Sequence, residues 1–258
     1  MGTIPSALKD ISVGDLDQDQ IPEVITATFN AGTLSVFKKG ADQDFEKAWE
    51  LKIHNLHEGM DVGDVNGDGR PDIVANGYWL PNPGSVAGPW ELKAVDSIWF
   101  NQEEEHWSRN ATKVACQDID NDGKDEVFIT HSEKTDYPLA RYRLEGEQWT
   151  KDILMDSLTA AHSLLVMDMD LDSEYEVLTG VNRNRALGIA EELEVNPPTE
   201  FPVFILKSGA SQFIPQVINT DGVYNLLAGD LEGDGDIDLI RLTSHDEKDM
   251  WLMRNDLK

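Results

Sequence analysis

Oxygen-bearing side chains recur in this chain at a spacing that suits a hard divalent cation. Between Asp64 and Asp72 the sequence reads Asp-Val-Asn-Gly-Asp-Gly-Arg-Pro-Asp, with oxygens at positions 1, 3, 5 and 9 of the nonapeptide and glycines at 4 and 6. Ca²⁺ takes about six to eight oxygens, which a tight turn supplies from alternate side chains, a backbone carbonyl and a closing carboxylate. Glycine at position 6 suits a backbone that must pass through positive φ. The candidate ligands of this copy are Asp64, Asn66, Asp68 and Asp72. The others are Asp15, Asp17, Asp19 and Glu23; Asp118, Asp120, Asp122 and Glu126; Asp168, Asp170, Asp172 and Glu176; and Asp230, Glu232, Asp234 and Asp238.

Acidic turn residues can close hairpins without a metal, by bonding their own backbone. Five copies with one ligand pattern point instead to metal, so up to five Ca²⁺ of mainly structural role are expected. The copies depart from the ideal unequally. The Asp15 copy has Gln18 and Gln20 where glycines are expected, and the Asp168 copy has Leu171 and Ser173. A non-glycine residue at positive φ costs about 1 kcal/mol, so these two loops are expected to bind more weakly or to adopt a different turn.

The elements that hold these loops are strands. Short apolar runs such as Ile11–Val13, Lys113–Cys116, Ser163–Met167 and Leu226–Ala228 precede them, and Val24-Ile25, Ile73–Ala75, Val127–Ile129, Val177-Leu178 and Leu239-Ile240 follow. Strand, tight loop, strand is a hairpin. An EF-hand would need flanking helices and a glutamate at position 12, where this chain has Thr26, Ala75, Ile129, Thr179 and Arg241. A second signature places an aromatic residue four before an aliphatic or small one, at Trp49 to Ile53, Trp90 to Ala94, Trp149 to Ile153 and Phe213 to Val217. It reads as an outer strand whose ring packs between sheets. Third strands are visible at Thr33–Phe37, Leu139–Arg143 and Trp251–Met253.

The loops begin at residues 15, 64, 118, 168 and 230, and a near-constant period of about 50 residues means a repeat architecture. Four strands per period match a propeller blade. The expected fold is therefore all-β: one β-propeller domain over residues 1–258, with five four-stranded blades, or alternatively part of a seven-bladed propeller.

Composition narrows the function. With 21 basic and 49 acidic residues the net charge is −28, which excludes a general nucleic-acid or anionic-membrane binder, since phosphate contacts need surplus Lys and Arg. Cys116 is the only cysteine, so neither an internal disulfide nor a thiolate cluster can form; it reads as a small buried hydrophobe. No apolar run approaches the roughly 18 residues of a membrane span, and Met1 to Ser6 do not read as a signal peptide. Calcium loops of extracellular type work at about 10⁻⁴ to 10⁻³ M calcium, so an extracellular or periplasmic location is expected.

The loops resemble the FG-GAP/VCBS repeat family, the calcium-bearing blades of integrin α-subunit propellers and of many secreted bacterial proteins. A narrower resemblance rests on His57 leading into Gly63–Val74, on Tyr78–Pro83, on His131-Ser-Glu133 before Pro138-Leu-Ala140, and on His162–Asp170. That order is similar to the propeller part of aldos-2-ulose dehydratase-like proteins, which implies sugar chemistry.

Hairpin geometry sends residues before each first strand and after each second strand to the end away from the calcium loops. That end is expected to collect His57, Glu58, His131, Glu133, His162, Asn182, Arg183, Tyr224 and His245, with Tyr78 and Trp79 near it. Convergent polar groups in a cleft are the default site hypothesis. Tyr78, Trp79, His131, Arg183 and His245 would bind a carbohydrate or protein ligand. His57, His162 and Tyr224 are the acid or base candidates should the protein be a sugar dehydratase or polysaccharide lyase. Each lone histidine also has a plainer use, capping a backbone carbonyl, and the tryptophans a packing one. A structural or adhesive module of a longer protein is the third reading, and the oligomeric state stays open.

Overall fold

The five acidic nonapeptides are hairpin turns. In four of them the registers fix the closing residue as the first of the returning strand, directly opposite the residue before position 1: Gly14 with Glu23, Gly63 with Asp72, Met167 with Glu176 and Gly229 with Asp238. Each nonapeptide thus closes a loop between two paired residues, which is why its first and last carboxylates converge. The computed structural model describes residues 7–29, 32–42, 44–54, 56–102, 106–208, 213–244 and 250–255.

The strands run as consecutive antiparallel meanders. The first sheet is β1 (Leu8–Gly14), β2 (Glu23–Thr28), β3 (Thr33–Lys39) and β4 (Phe45–Lys52); the second is β5 (Met60–Gly63), β6 (Asp72–Ala75), β7 (Tyr78–Leu80) and β8 (Lys93–Ala94). The third is β9 (Thr112–Gln117), β10 (Glu126–His131), β11 (Tyr137–Glu145) and β12 (Gln148–Leu158). The fourth is β13 (Ala161–Met167), β14 (Glu176–Val181), β15 (Val203–Ser208) and β16 (Phe213–Asn219), with helix α1 (Arg183–Glu192) between β14 and β15. The fifth has three strands among the described residues, β17 (Asn225–Gly229), β18 (Asp238–Leu242) and β19 (Trp251–Met253). The fold is an all-β propeller of five blades, and no helix among the described residues is long and apolar enough to cross a membrane.

Two compact units can be distinguished: residues 1–129 with 141–152, and residues 130–140 with 153–258. In the first, Leu16, Ile25, Leu34, Val36, Ile73 and Leu80 are sealed from solvent in one core. Its aromatic residues pack between sheets as their spacing suggests: Trp49 meets Trp90 at 5.9 Å between centroids, and Trp79 meets Trp149 edge-on at 5.8 Å. The second unit has its own cores around Leu178, Val203, Val223 and Leu239 and around Val181, Ala186 and Phe201.

The structure adds a helix that the repeat pattern hides. Asn182 caps α1, accepting the N–H of Arg185 at 3.3 Å. Ala186, Ile189 and Ala190 are buried, the spacing of one helical face. Glu194 just beyond the helix has φ of 56°, and Pro197 and Pro198 follow it, ending the helix as left-handed caps and prolines do. Outer strand β8 is shorter than Trp90–Ala94, because Trp90 is buried ahead of it with its indole N–H on the Val86 carbonyl. Cys116, expected inside, is only partly buried.

In the first unit, Asp61 on β5 accepts the N–H of Cys116 at 2.8 Å, and Asp10 on β1 accepts that of Gly59 at 3.0 Å. Burial, with the like charges of Asp10 and Asp125 beside it, pushes the Asp61 carboxyl up to about 6. The folded state therefore holds that proton more tightly than the unfolded chain, whose Asp titrates near about 4. Stability must fall as pH rises from about 4 through 6, where the folded protein binds the extra proton. Asp61→Asn keeps an acceptor for Cys116 and removes the charge. Thermal melts across pH 4 to 8 are expected to show a higher midpoint for the variant at pH 8 and a shallower decline; equal slopes would assign the proton elsewhere.

Candidate functional site

All five loops fold around their first aspartate. Asp64 Oδ1 accepts the N–H groups of Gly67 and Asp68 at 2.9 and 3.0 Å, and Oδ2 that of Gly69 at 2.7 Å. Asp118 accepts from Asp122 and Gly123, Asp168 from Asp172 and Ser173, and Asp230 from Gly233, Asp234 and Gly235. Asp15 accepts from Gln20 at 3.0 Å. In four loops the closing carboxylate takes the N–H of position 2: Glu23 from Leu16, Glu126 from Ile119, Glu176 from Met169 and Asp238 from Leu231. Asp72 differs, accepting the Trp79 indole N–H and the Asn82 backbone N–H.

The geometry requires positions 4 and 6 to be left-handed, and all five loops comply. Gly67 and Gly69 have φ of 73° and 82°, Asn121 and Gly123 59° and 88°, Gly233 and Gly235 77° and 95°. Gln18 and Gln20 are at 62° and 69°, Leu171 and Ser173 at 58° and 72°. The Asp15 and Asp168 loops therefore adopt the same turn as the others rather than a different one, at the steric cost that a Cβ imposes there.

These turns are hydrogen-bonded by themselves, so the case for a cation rests on the oxygens left over. Asp15 Oδ1, Asp17 Oδ1, Glu23 Oε1 and Asp170 Oδ1 are shielded from solvent and accept no hydrogen bond. Ligand atoms of Asp15, Asp17 and Asp19, of Asp118, Asp120 and Asp122, and of Asp168, Asp170 and Glu176 lie within 4.8 Å of one another. Burial raises the closing carboxyls, Asp72 to about 6 and Glu126 to about 7. Carboxylate oxygens held that close repel one another, which either a proton or a cation relieves, and an all-oxygen set is what calcium accepts.

Neighbouring loops are tied together by residues that the repeat pattern does not mark. In the first unit Asn82 donates its amide to the Leu16 carbonyl at 2.7 Å while its backbone N–H serves Asp72. In the second, Asn255 repeats this, to the Met169 carbonyl at 2.9 Å and Asp238 at 3.1 Å. Each stands two residues past the end of its third strand, after Leu80 or Met253. That equivalence was invisible because those strands lie at different distances from their loops.

At the other end of β13 from Asp168, the second unit buries a polar cluster. His162 lies within hydrogen-bond reach of Glu133 Oε1 through Nε2, at 3.1 Å, and of the Tyr224 carbonyl through Nδ1, at 2.9 Å. The Tyr224 ring stacks on it at 4.2 Å. Arg185 on α1 donates from Nε to the Glu133 carbonyl at 2.7 Å and pairs with Glu192. Beside the same helix opens a groove of about 410 Å³, lined by Thr135, Thr159, Val181, Ile189, Leu193 and Phe204 among others.

The other sequence candidates fall as follows. His131 is buried, accepts the Glu133 N–H on Nδ1 and packs on Tyr137. Arg183 is held over the Phe201 ring rather than in the polar cluster; the arginine in the cluster is Arg185, recognisable only once Asn182 is read as a helix cap. His57 belongs to the first unit, buried edge-on against Phe29. Tyr78 stacks on Phe100 at 3.9 Å, and Trp79 is buried with its N–H on Asp72, so both rings are used in packing and in holding a loop. His245 lies outside the described residues.

Residues 15–75 match the FG-GAP-like repeat family. No curated protein matches the chain. Among solved structures, an Agrocybe aegerita lectin that recognises non-reducing terminal N-acetylglucosamine is 15% identical with a TM-score of 0.55, over 96% of this chain and 66% of the lectin. The V. cholerae biofilm matrix protein Bap1 is 16% identical with a TM-score of 0.45, over 91% of this chain and 34% of its own. The chain thus spans just under two thirds of the lectin and about a third of Bap1.

The strain at positions 4 and 6 is directly measurable. Leu171→Gly, at an exposed site, is expected to stabilise by about 1 kcal/mol, read as a higher urea midpoint; a lower midpoint would mean that the leucine side chain contributes more than its backbone costs.

Proposed function

We propose that this protein is a calcium-stabilised extracellular or periplasmic propeller that binds a carbohydrate or protein ligand at the groove beside α1. The observation that carries the reading is the division of labour along β13: an oxygen-only loop at one end, and at the other a buried Glu133–His162–Arg185 cluster next to an open groove. Apolar side chains along the groove give a ligand surface to cover, at about 25 cal/mol per Å² buried. Thr135, Ser157, Thr159 and Asn196 offer hydroxyl and amide partners, the combination that orients small ligands. The likeness to a lectin in fold favours a glycan as the first ligand class to try.

Calcium would be held by the first, third, fifth and closing side chains of the loops. Its contribution is neutralisation: it removes the mutual repulsion of the carboxylates and pins each hairpin, adding about 2.7 kcal/mol per site when free calcium is 100 times Kd.

The rival reading, sugar β-elimination, meets an obstacle at His162. Both ring nitrogens are engaged, by Glu133 and by the Tyr224 carbonyl, and the residue is 2% exposed. A general base must reach the proton it takes. His162 is therefore read as a strut between loops, with Glu133 and Arg185.

Three measurements test this. EDTA is expected to lower the thermal midpoint by several degrees, with Asp64→Ala more harmful than Asp168→Ala in millimolar calcium; an unchanged midpoint would make the loops metal-free turns. Glycan-array binding, beginning with N-acetylglucosamine-terminated glycans, is expected to fall at least tenfold in Leu193→Asp, a change at an exposed groove residue. Ultraviolet absorbance of an unsaturated product from uronic-acid polysaccharides, lost in His162→Ala, would overturn the binding reading in favour of a lyase.

A further inference from the structure

Successive blades pack by a repeated knob and hole. In the first unit a Cβ on Gly14, the residue before the Asp15 loop, would lie 3.0 Å from Val62 Cγ1. Val62 stands two residues before the loop of the next blade, at Asp64. A Cβ on Gly63, the residue before that loop, would lie 2.7 Å from the Cβ of Cys116, which stands two residues before the Asp118 loop. In the second unit larger partners keep the pattern: Met167, one before its loop, and Ala228, two before the next, share one core. The residue before each loop therefore receives the residue two before the following loop. Adjacent residues of a strand point to opposite faces, so each blade carries its hole on one side and its knob on the other.

This packing leaves one knob and one hole over. Val13 on β1 is the knob of the first blade, and it is 62% exposed, with Ile11 exposed on the same face. Paired residues share a face, and this one continues through Val24, opposite Val13, to Phe37, opposite Val24. Gly229 on β17 is the hole of the fifth blade, and a Cβ there would meet no heavy atom within 4 Å among the described residues. Its face carries Leu227, 64% exposed, in line with Ile240 and the exposed Leu252. Leu226, Ala228 and Leu239 turn the other way, into the core of the second unit. Apolar side chains in register on three strands favour a cover, at about 25 cal/mol per Å² removed from water.

We propose that the fifth blade of one copy docks on the first blade of a second copy, with Val13 of one entering the space over Gly229 of the other. The packing within each unit, rather than apolarity alone, specifies the occupant. A strand with glycine one residue before its loop takes a strand with an aliphatic side chain two residues before its own. β1 is such a strand, and its side chain is open to solvent. Val13 has the residue type of Val62 and Gly229 that of Gly14, so the contact repeats the one between the first and second blades. The two faces differ, which makes the contact heterologous: each copy keeps one face free, and association runs on to a closed ring or an open chain. The groove beside α1 takes no part in it.

Sedimentation velocity on the whole protein, from about 1 to about 200 µM, tests the proposal. The average mass is expected to rise at least twofold over that range; the mass of one chain throughout would overturn it. Val13→Asp and Leu227→Asp, both at exposed positions, are each expected to stay single, and association of either alone would count against the pairing. Mixed in equal amounts, they are expected to form a species of two chains and no larger, because each retains the face that the other has lost. A mixture that stays single overturns the head-to-tail contact. The Cβ position of Gly14 lies 3.6 Å from the Cβ of Val62, a disulfide spacing, so Val13→Cys and Gly229→Cys in one chain report the contact directly. Oxidation is expected to give a ladder of linked chains on a non-reducing gel, with the wild type, whose one cysteine is Cys116, as the blank. No bond, or a bond closed within one chain, overturns the proposal. The cysteine pair decides alone should the aspartate variants fail to fold.

Discussion

The structure depends on one constraint: a nine-residue turn must wrap its backbone around the carboxylate of its first residue. To bring the N–H groups of positions 5 and 6 onto that carboxylate, positions 4 and 6 must both pass through positive φ, and they do so in every copy. The turn then delivers the third, fifth and ninth side chains to one place, because alternate residues along it point inward. Concentrated negative charge follows from this geometry, and in the Asp15 and Asp168 loops a lysine ammonium of the chain lies against it.

The surroundings differ from loop to loop, and the differences are chemical. Loops with glycine at both positions carry no strain there, and their closing carboxylates, Asp72 and Asp238, are buried. Loops with Gln18 and Gln20 or Leu171 and Ser173 are strained and receive a lysine from the third strand. Neighbouring loops are also coupled in the first unit, where Asp125 and Asp64 exchange backbone and side-chain hydrogen bonds at 2.9 and 2.8 Å. A charge change in one loop therefore reaches the next through hydrogen bonds.

Away from the loops, polar chemistry is buried and cross-linked. His162 and Glu133 in the second unit are enclosed, and through Arg185 they tie the chain to α1 beside its groove. Helix α1 interrupts the repeat between β14 and β15. Insertions into a repeat are where recognition is built, and this one contributes both Arg185 to the cluster and Ile189 to the groove.

Much of the fold was legible in the chain alone. Five nonapeptides at a period of about 50 residues, flanked by alternating apolar runs, determine hairpins, blades and the positions of twenty candidate ligands, because a turn and its two strands are set by residues adjacent in sequence. The strands without an acidic marker, β7 and β15, and the capped helix after Asn182 did not announce themselves. What only the tertiary structure decided are the contacts made across strands: Lys38 and Lys207 entering their loops, Asn82 and Asn255 bridging between them, Trp79 turned inward onto Asp72, and Arg185 rather than Arg183 in the polar cluster. Those partners lie at variable separations along the chain, so no spacing encodes them. Ladder register and the burial of each face select them.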